Sequence, residues 1–128
     1  MKTEEVAKKL VAYCQKMQFN EAIEALYSPD IVSVEAFAMP GGQMPREMKG
    51  IDAVRKKTEW WETNHTVHSF KTSEPFLAED KFAVIFDIDV THMPSGKKNK
   101  MSEVAVYTVS NGKIVREEFL YRSQGNND

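Results

Sequence analysis

The chain of 128 residues is poor in most of the features that name a chemistry outright. It has one cysteine, Cys14, so no disulfide can form within it. It has no surplus of positive charge: 17 Lys and Arg stand against 19 Asp and Glu, a formal net charge of −2. Nucleic-acid binders show a basic stripe or a basic excess, and the Lys97, Lys98 and Lys100 cluster is short and sits beside a turn. No apolar run approaches the roughly 18 residues of a membrane span. The opening Met1-Lys2-Thr3-Glu4-Glu5 lacks the apolar core of a secretory signal. Nucleophile elbow, phosphate loop and dinucleotide fingerprint are missing. The expectation is a single cytoplasmic domain over residues 1–128 that binds neither nucleic acid nor membrane.

What is present is a strand-rich second half. Phe82 to Thr91, Lys98 to Val109 and Lys113 to Arg122 read as three strands in series. Met93-Pro94-Ser95-Gly96 and Ser110-Asn111-Gly112 are the turns between them. The first half supplies a cover for this meander. Thr3 is placed as N-cap of a helix running to Met17, with Val6, Leu10, Tyr13, Cys14 and Met17 at helical spacing. Asn20 caps a short second helix carrying Ala22, Ile23, Leu26 and Tyr27, which stops before Pro29. Ile31, Val32 and Val34 form a strand ending at Glu35. Residues 36–50, with Met39, Pro40, Gly41, Gly42, Met44, Pro45 and Met48, read as a packed loop. Asp52 caps a third helix through Trp60 and Trp61 to about Asn64, and Val67 to Phe76 is a long strand. The fold class is α+β, three helices on a mainly antiparallel sheet.

Strand alternation then sorts the faces. Phe82, Val84, Phe86, Ile88 and Val90 point inward, because the opposite choice buries Asp87 and Asp89. For the last hairpin a two-residue turn pairs Tyr107 with Arg116, and a three-residue turn pairs Tyr107 with Val115 and Ala105 with Glu117. The second is preferred. Its inward set is Met101, Glu103, Ala105, Tyr107, Val109, Val115, Glu117, Phe119 and Tyr121, apolar but for two carboxylates.

Three local marks, Leu26-Tyr27-Ser28-Pro29-Asp30, Gly50-Ile51-Asp52-Ala53-Val54 and Asn111-Gly112-Lys113-Ile114-Val115, together with the element order, resemble the SnoaL-like branch of the nuclear transport factor two superfamily. Its relatives include ketosteroid isomerases, limonene epoxide hydrolases and scytalone dehydratases. The resemblance implies a cone-shaped α+β barrel, a strongly curved sheet around a long helix with an apolar cavity between them, and a homodimer. It puts Glu35 near the isomerases' catalytic aspartate and Tyr13 nearest their helix-one tyrosine. Ala105 stands where they carry a pocket aspartic acid, and the hydrolases' Asp-Arg-Asp arrangement is not matched.

Candidate catalytic residues are Glu35, Glu103 and Glu117, since a carboxylate on an apolar wall has its pKa raised toward neutrality. Candidate ligand contacts are Tyr13, Trp60, His68, Phe86, Tyr107, Phe119 and Tyr121; His68 shares the parity of Phe70 and is expected to point inward. His65, His68 and His92 do not show metal-ligand spacing, so neither metal nor cofactor is expected. Two functions fit: an isomerase, cyclase, dehydratase or hydrolase working by proton transfer on a small hydrophobic molecule, or a non-catalytic ligand-binding or dimerisation module. Converging carboxylates with few basic neighbours favour the first. Carboxylates neutralised by Lys or Arg favour the second.

Overall fold

The computed structural model describes residues 1–38 and 44–122. Three helices pack on a curled, unclosed sheet of seven strands in the order β2-β1-β7-β6-β5-β3, with β4 pairing β5. The elements are α1 (Thr3–Gln15), α2 (Phe19–Leu26), β1 (Tyr27–Val34), β2 (Glu47–Lys49), α3 (Ile51–Asn64), β3 (His65–Thr72), β4 (Phe76–Leu77), β5 (Lys81–His92), β6 (Lys97–Ser110) and β7 (Lys113–Leu120). All pairings are antiparallel except β1 with β7. No helix among the described residues is long and apolar enough to cross a membrane.

The helix ends differ from expectation by a residue or two. Thr3 is the first helical residue and Lys2 the N-cap; its backbone N–H donates to Glu5 Oε1 at 3.3 Å. α1 stops at Gln15 because Met17 takes a left-handed φ of 55°. The N–H groups of Met17 and Gln18 then close on Cys14 O and Tyr13 O at 3.0 and 2.9 Å, satisfying carbonyls the helix leaves open. α2 begins at Phe19 with Gln18 as its cap, not Asn20, and Gly50 rather than Asp52 caps α3. Tyr27 opens β1 instead of closing α2. Pro29 sits inside that strand, where it is tolerated because the β1–β7 register shifts between Tyr27 and Val32. Within residues 36–50, Glu47–Lys49 is a short strand paired with β1, while Met39, Pro40, Gly41 and Gly42 lie outside the described residues.

The inward face of β5 is as expected: Phe82, Val84, Phe86, Ile88 and Val90 are buried. They join Val6, Leu10, Ile23 and Leu26 from the helices in one core. Two bulges change the phase elsewhere. β3 carries one at His68, between the Val67–Val90 and Ser69–Asp89 pairs. His68 is therefore exposed, contrary to its parity, while Val67 and Phe70 both face the core. The last hairpin follows neither expected register. Asn111 and Gly112, both at positive φ, make a two-residue turn. A bulge at Val115 then pairs Tyr107 with Glu117 and Ala105 with Phe119. Ile114 is buried in place of Val115.

Gly112 answers two demands: a φ of +76°, and a Cβ that would stand 2.7 Å from Met1 N. Gly96 has a similar φ of +71° with nothing within 4 Å of such a Cβ. Gly96→Ala is expected to cost roughly 1 kcal/mol from backbone strain alone, and Gly112→Ala roughly 2 kcal/mol or more. Urea unfolding of the two variants measures the difference; equal losses would show that the N-terminus simply moves aside.

Candidate functional site

Strand pairing lays the inner face of the sheet out as a grid. Tyr107 of β6 sits between Phe82 of β5 and Glu117 of β7, and Glu117 is level with Ser33 of β1. One row on, Ala105 lies between Val84 and Phe119. Glu103 pairs with Phe86 in the row after that. Glu35 follows β1 directly, its N–H held by Arg46 O at 2.7 Å. Alternation thus turns Ser33, Glu35, Glu103, Tyr107, Glu117, Phe119 and Tyr121 to one side, and α3 brings Lys57 over them.

The polar contacts form one chain. Tyr121 Oη donates to Glu35 Oε1 at 2.7 Å. Lys57 Nζ donates to Glu35 Oε2 at 2.7 Å and to Ser33 Oγ at 2.6 Å. Ser33 Oγ donates to Glu117 Oε2 at 2.7 Å, and Tyr27 Oη donates to Glu117 Oε1. Lys57 Nζ also lies 3.8 Å from Glu117 Oε2 and 4.8 Å from the centre of the Phe119 ring. Glu117 is 2% exposed, with both carboxylate oxygens engaged.

Glu103 differs. Its carboxyl has no hydrogen-bond partner among the described residues, and neither has the Tyr107 hydroxyl. Thr72 Oγ1 is the one sealed side-chain polar atom left without a partner there. Burial pushes the Glu103 carboxyl from its ordinary 4.5 up to about 7; Glu35 adds to the rise, Lys57 opposes it and Glu117 adds a little more. Burial, then the nearby Cys14, Glu117, Glu103 and Glu35, raises the Tyr107 hydroxyl well above its usual range. Burial and Glu35 raise Tyr121, while burial and Glu117 raise Tyr27. All three phenols therefore remain donors at neutral pH. Burial, with Glu117 adding, lifts the Cys14 thiol to about 12, so Cys14 is no nucleophile.

The three expected carboxylates are brought together, with Tyr107, Phe119 and Tyr121 beside them. Phe86 is buried behind Glu103, its ring 5.1 Å from Phe70. Tyr13 is half-buried on α1, packed on the core. Trp61, rather than Trp60, packs on the core and stacks on His65 at 4.8 Å; Trp60 meets the His65 edge at 6.3 Å. His68 is turned away, bonded to Thr91 Oγ1 at 2.7 Å on the outer side. Lys57, Ser33 and Tyr27 join the cluster although sequence reasoning did not single them out. For Lys57 a signal existed: it lies three residues after buried Val54 and four before Trp61, on the helix's inner stripe.

Two surface depressions lie elsewhere on the molecule. One, of about 550 Å³, is lined by Asn20, Glu24, Arg55, Glu59, Glu62 and Thr63. The other, of about 370 Å³, is lined by His68, Asp89, Lys98, Asn99 and Lys100. Size alone would favour the first, but its chemistry does not: Arg55 is already paired with Glu24 and Asp52, and Asn20 with Glu62. No group of three or more metal-binding side chains occurs among the described residues.

The SnoaL-like domain matches residues 1–121. A Mesorhizobium loti protein described as a SnoaL-like polyketide cyclase is 36% identical, with TM-score 0.87 over 94% of this chain and all of its own. A Bacillus subtilis protein described as an isomerase is 20% identical, with TM-score 0.76 over 95% of this chain and 90% of its own. TerC, co-crystallised with polyporic acid, is 16% identical, with TM-score 0.74 over 94% of this chain and 91% of its own. Among curated proteins none matches in sequence.

Glu103 gives a stability signature with a definite sign. Its folded pKa of about 7 lies above the ordinary 4.5, so between these values the folded state holds more protons than the unfolded. Stability falls as pH rises from about 4.5 to 7, and Glu103→Gln removes that fall. Because the side chain is not fully buried, the loss is on the order of 1–3 kcal/mol. Urea midpoints of wild type and Glu103→Gln at pH 5 and pH 8 check it; parallel midpoints would show an ordinary, solvated carboxyl.

Proposed function

The chain belongs to the SnoaL-like domain family, and from that premise we propose that it is a cofactor-independent enzyme that moves a proton within a small hydrophobic carbonyl compound, by isomerisation or cyclisation. The supporting observation is the pairing of two unlike carboxyls on one wall: Glu35, oriented by two donors, and Glu103, protonated up to about pH 7 and without a partner among the described residues. A carboxyl that keeps its proton, set beside one oriented by donors, supplies an acid and a base. Glu35 takes a proton from the carbon beside the substrate carbonyl. The oxygen gains charge and is met by the Glu103 and Tyr107 hydroxyls, donors left free for it. In an isomerisation Glu35 returns the proton to another carbon. In a cyclisation the carbanion attacks a second carbonyl, the new alkoxide takes the Glu103 proton, and the proton on Glu35 resets the pair. Phe119, Phe86, Tyr13 and Tyr121 supply the apolar and aromatic wall, and Trp60, turned toward His65, has no part in it. Glu117, its side chain 3% exposed against 22% for Glu35, anchors the wall rather than reacting. His68 has no part in it.

One observation favours the second reading. Lys57 neutralises Glu35 directly and Glu117 at 3.8 Å, as a ligand-binding module would require. The two separate by proton exchange. Wild type in D2O is expected to accelerate deuterium incorporation next to the carbonyl of 2-tetralone, an enolisable aromatic ketone, read by proton NMR. Glu35→Gln is expected to lose about 100-fold or more, and the wild-type rate to fall above pH 7 as Glu103 ionises. Tight ketone binding without catalysed exchange would leave the binding module standing in the enzyme's place.

The functional unit proposed is a homodimer joined through the outer face of the sheet. Ile85, Val104 and Leu120 lie in register there, and Ile85, Leu120 and the nearby Phe76 are 47%, 48% and 74% exposed. Ile85→Glu is expected to halve the mass seen by light scattering while circular dichroism stays unchanged; a monomeric wild type would refute the dimer.

A further inference from the structure

Lys57 is a cation in a place where a helix lysine is seldom found. Its side chain is 14% exposed, beneath α3 and against the inner face of the sheet. Lysine is usually excluded from such surroundings unless it is paired. Here its ammonium meets Ser33 and Glu35 of the β1 end, Glu117 of β7 and the Phe119 ring. Its charge also reaches Glu103 on β6. Two of its three protons are committed by direct hydrogen bonds, and the contact to Glu117 is longer and shared through Ser33. Ser33 thus passes the Lys57 interaction on to Glu117, whose other oxygen is held by Tyr27.

Three carboxyls converge on this one ammonium. If all three were ionised, the wall would hold two uncompensated charges. With a single proton it holds one, shared among a lysine, three hydroxyls and the ring. Resting on the acid–base reading above, we propose that Lys57 is the positioning residue of the site. It fixes the Glu35 carboxylate against Tyr121 and, as counter-ion shared by Glu35 and Glu117, leaves the site's one exchangeable proton on Glu103. The groups facing Lys57 and its partners are Ser33 and Glu35 from the β1 end, Tyr27 from its start, and Glu117, Phe119 and Tyr121 from β7 and just beyond. Glu103 and Tyr107 face it from β6, and Cys14 from α1 lies near Glu117. The phenols and the thiol stay neutral across the working range. The proton count between pH 5 and pH 9 therefore belongs to the carboxyls.

The role is read without turnover, by following glutamate side-chain 13Cδ shifts in labelled protein against pH. Wild type is expected to show one glutamate with a midpoint near 7, identified as Glu103 by its absence in Glu103→Gln. In Lys57→Met the Glu103 midpoint rises by about one pH unit or more, and a second glutamate keeps its proton above pH 6. Lys57→Arg retains the wild-type count, and Lys57→Met with Glu117→Gln returns the count to one. A folded Lys57→Met with wild-type titrations overturns the proposal. Should Lys57→Met not fold, Lys57→Gln, which keeps a hydrogen-bond donor and loses the charge, decides. Its Glu103 midpoint is expected to rise as in Lys57→Met, and an unmoved midpoint refutes the role. A protein with the expected titrations but no ketone exchange loses the proposed enzyme activity and keeps this role for Lys57.

Discussion

A carboxylate 2% exposed in the middle of a sheet's inner face dictates much of what surrounds it. Glu117 cannot stay there ionised unless its oxygens are bonded and its charge is answered. Tyr27 answers from the start of β1, Ser33 from its end and Lys57 from α3. These three points pin the parallel β1–β7 pairing and the seat of α3 against the sheet. Removing one partner of such a buried group typically costs roughly 3–5 kcal/mol, whereas replacing the whole set by apolar residues is often neutral. The network is therefore better understood as a device that fixes one arrangement than as a source of stability.

That arrangement also separates chemically identical side chains. Glu35, Glu103 and Glu117 lie on one face, yet one is oriented by a lysine and a phenol, one is sealed by two hydroxyls and one is left without a donor among the described residues. Tyr27 and Tyr107 divide in the same way. The hydroxyl of Tyr27 is spent on Glu117, while that of Tyr107, stacked on Phe82 at 4.9 Å, has no protein partner among the described residues. What each group can do follows from its neighbours more than from its residue type.

The sequence carried the order of the three helices and the main strands, the inward face of β5, the place of the last turn though not its length, and the common face of the three carboxylates. Each rests on periodicity or on a residue with one strong conformational preference. What escaped were single-residue insertions. A bulge at His68 reverses the side that strand parity assigns, and one at Val115 exchanges it with Ile114 in the core. Alternation cannot reveal a bulge when the residues on both sides of it are partly apolar, as Lys113 to Phe119 are. Pro29 misled in the same manner, since a strand broken by a bulge admits a proline that a regular one refuses. Tyr27 and Lys57 escaped for another reason. Their role lies in partners 90 and 60 positions away along the chain, and a helix lysine ordinarily faces water.

Glu103 weighs most in choosing between catalysis and passive binding. Glu117 and Lys57 satisfy one another and need no substrate to explain them. Among the described residues Glu103 receives no bond and pairs with no cation at contact distance, and its surroundings hold its carboxyl protonated to about pH 7. A Leu or Met at this place, opposite Phe86 and beside Ala105, would bury more comfortably and remove the desolvation cost. A site that only held an apolar ligand, or only paired two sheets, would gain from that exchange. A residue that breaks the local rule for stability, next to a free tyrosine hydroxyl and an oriented carboxylate, is what proton transfer requires.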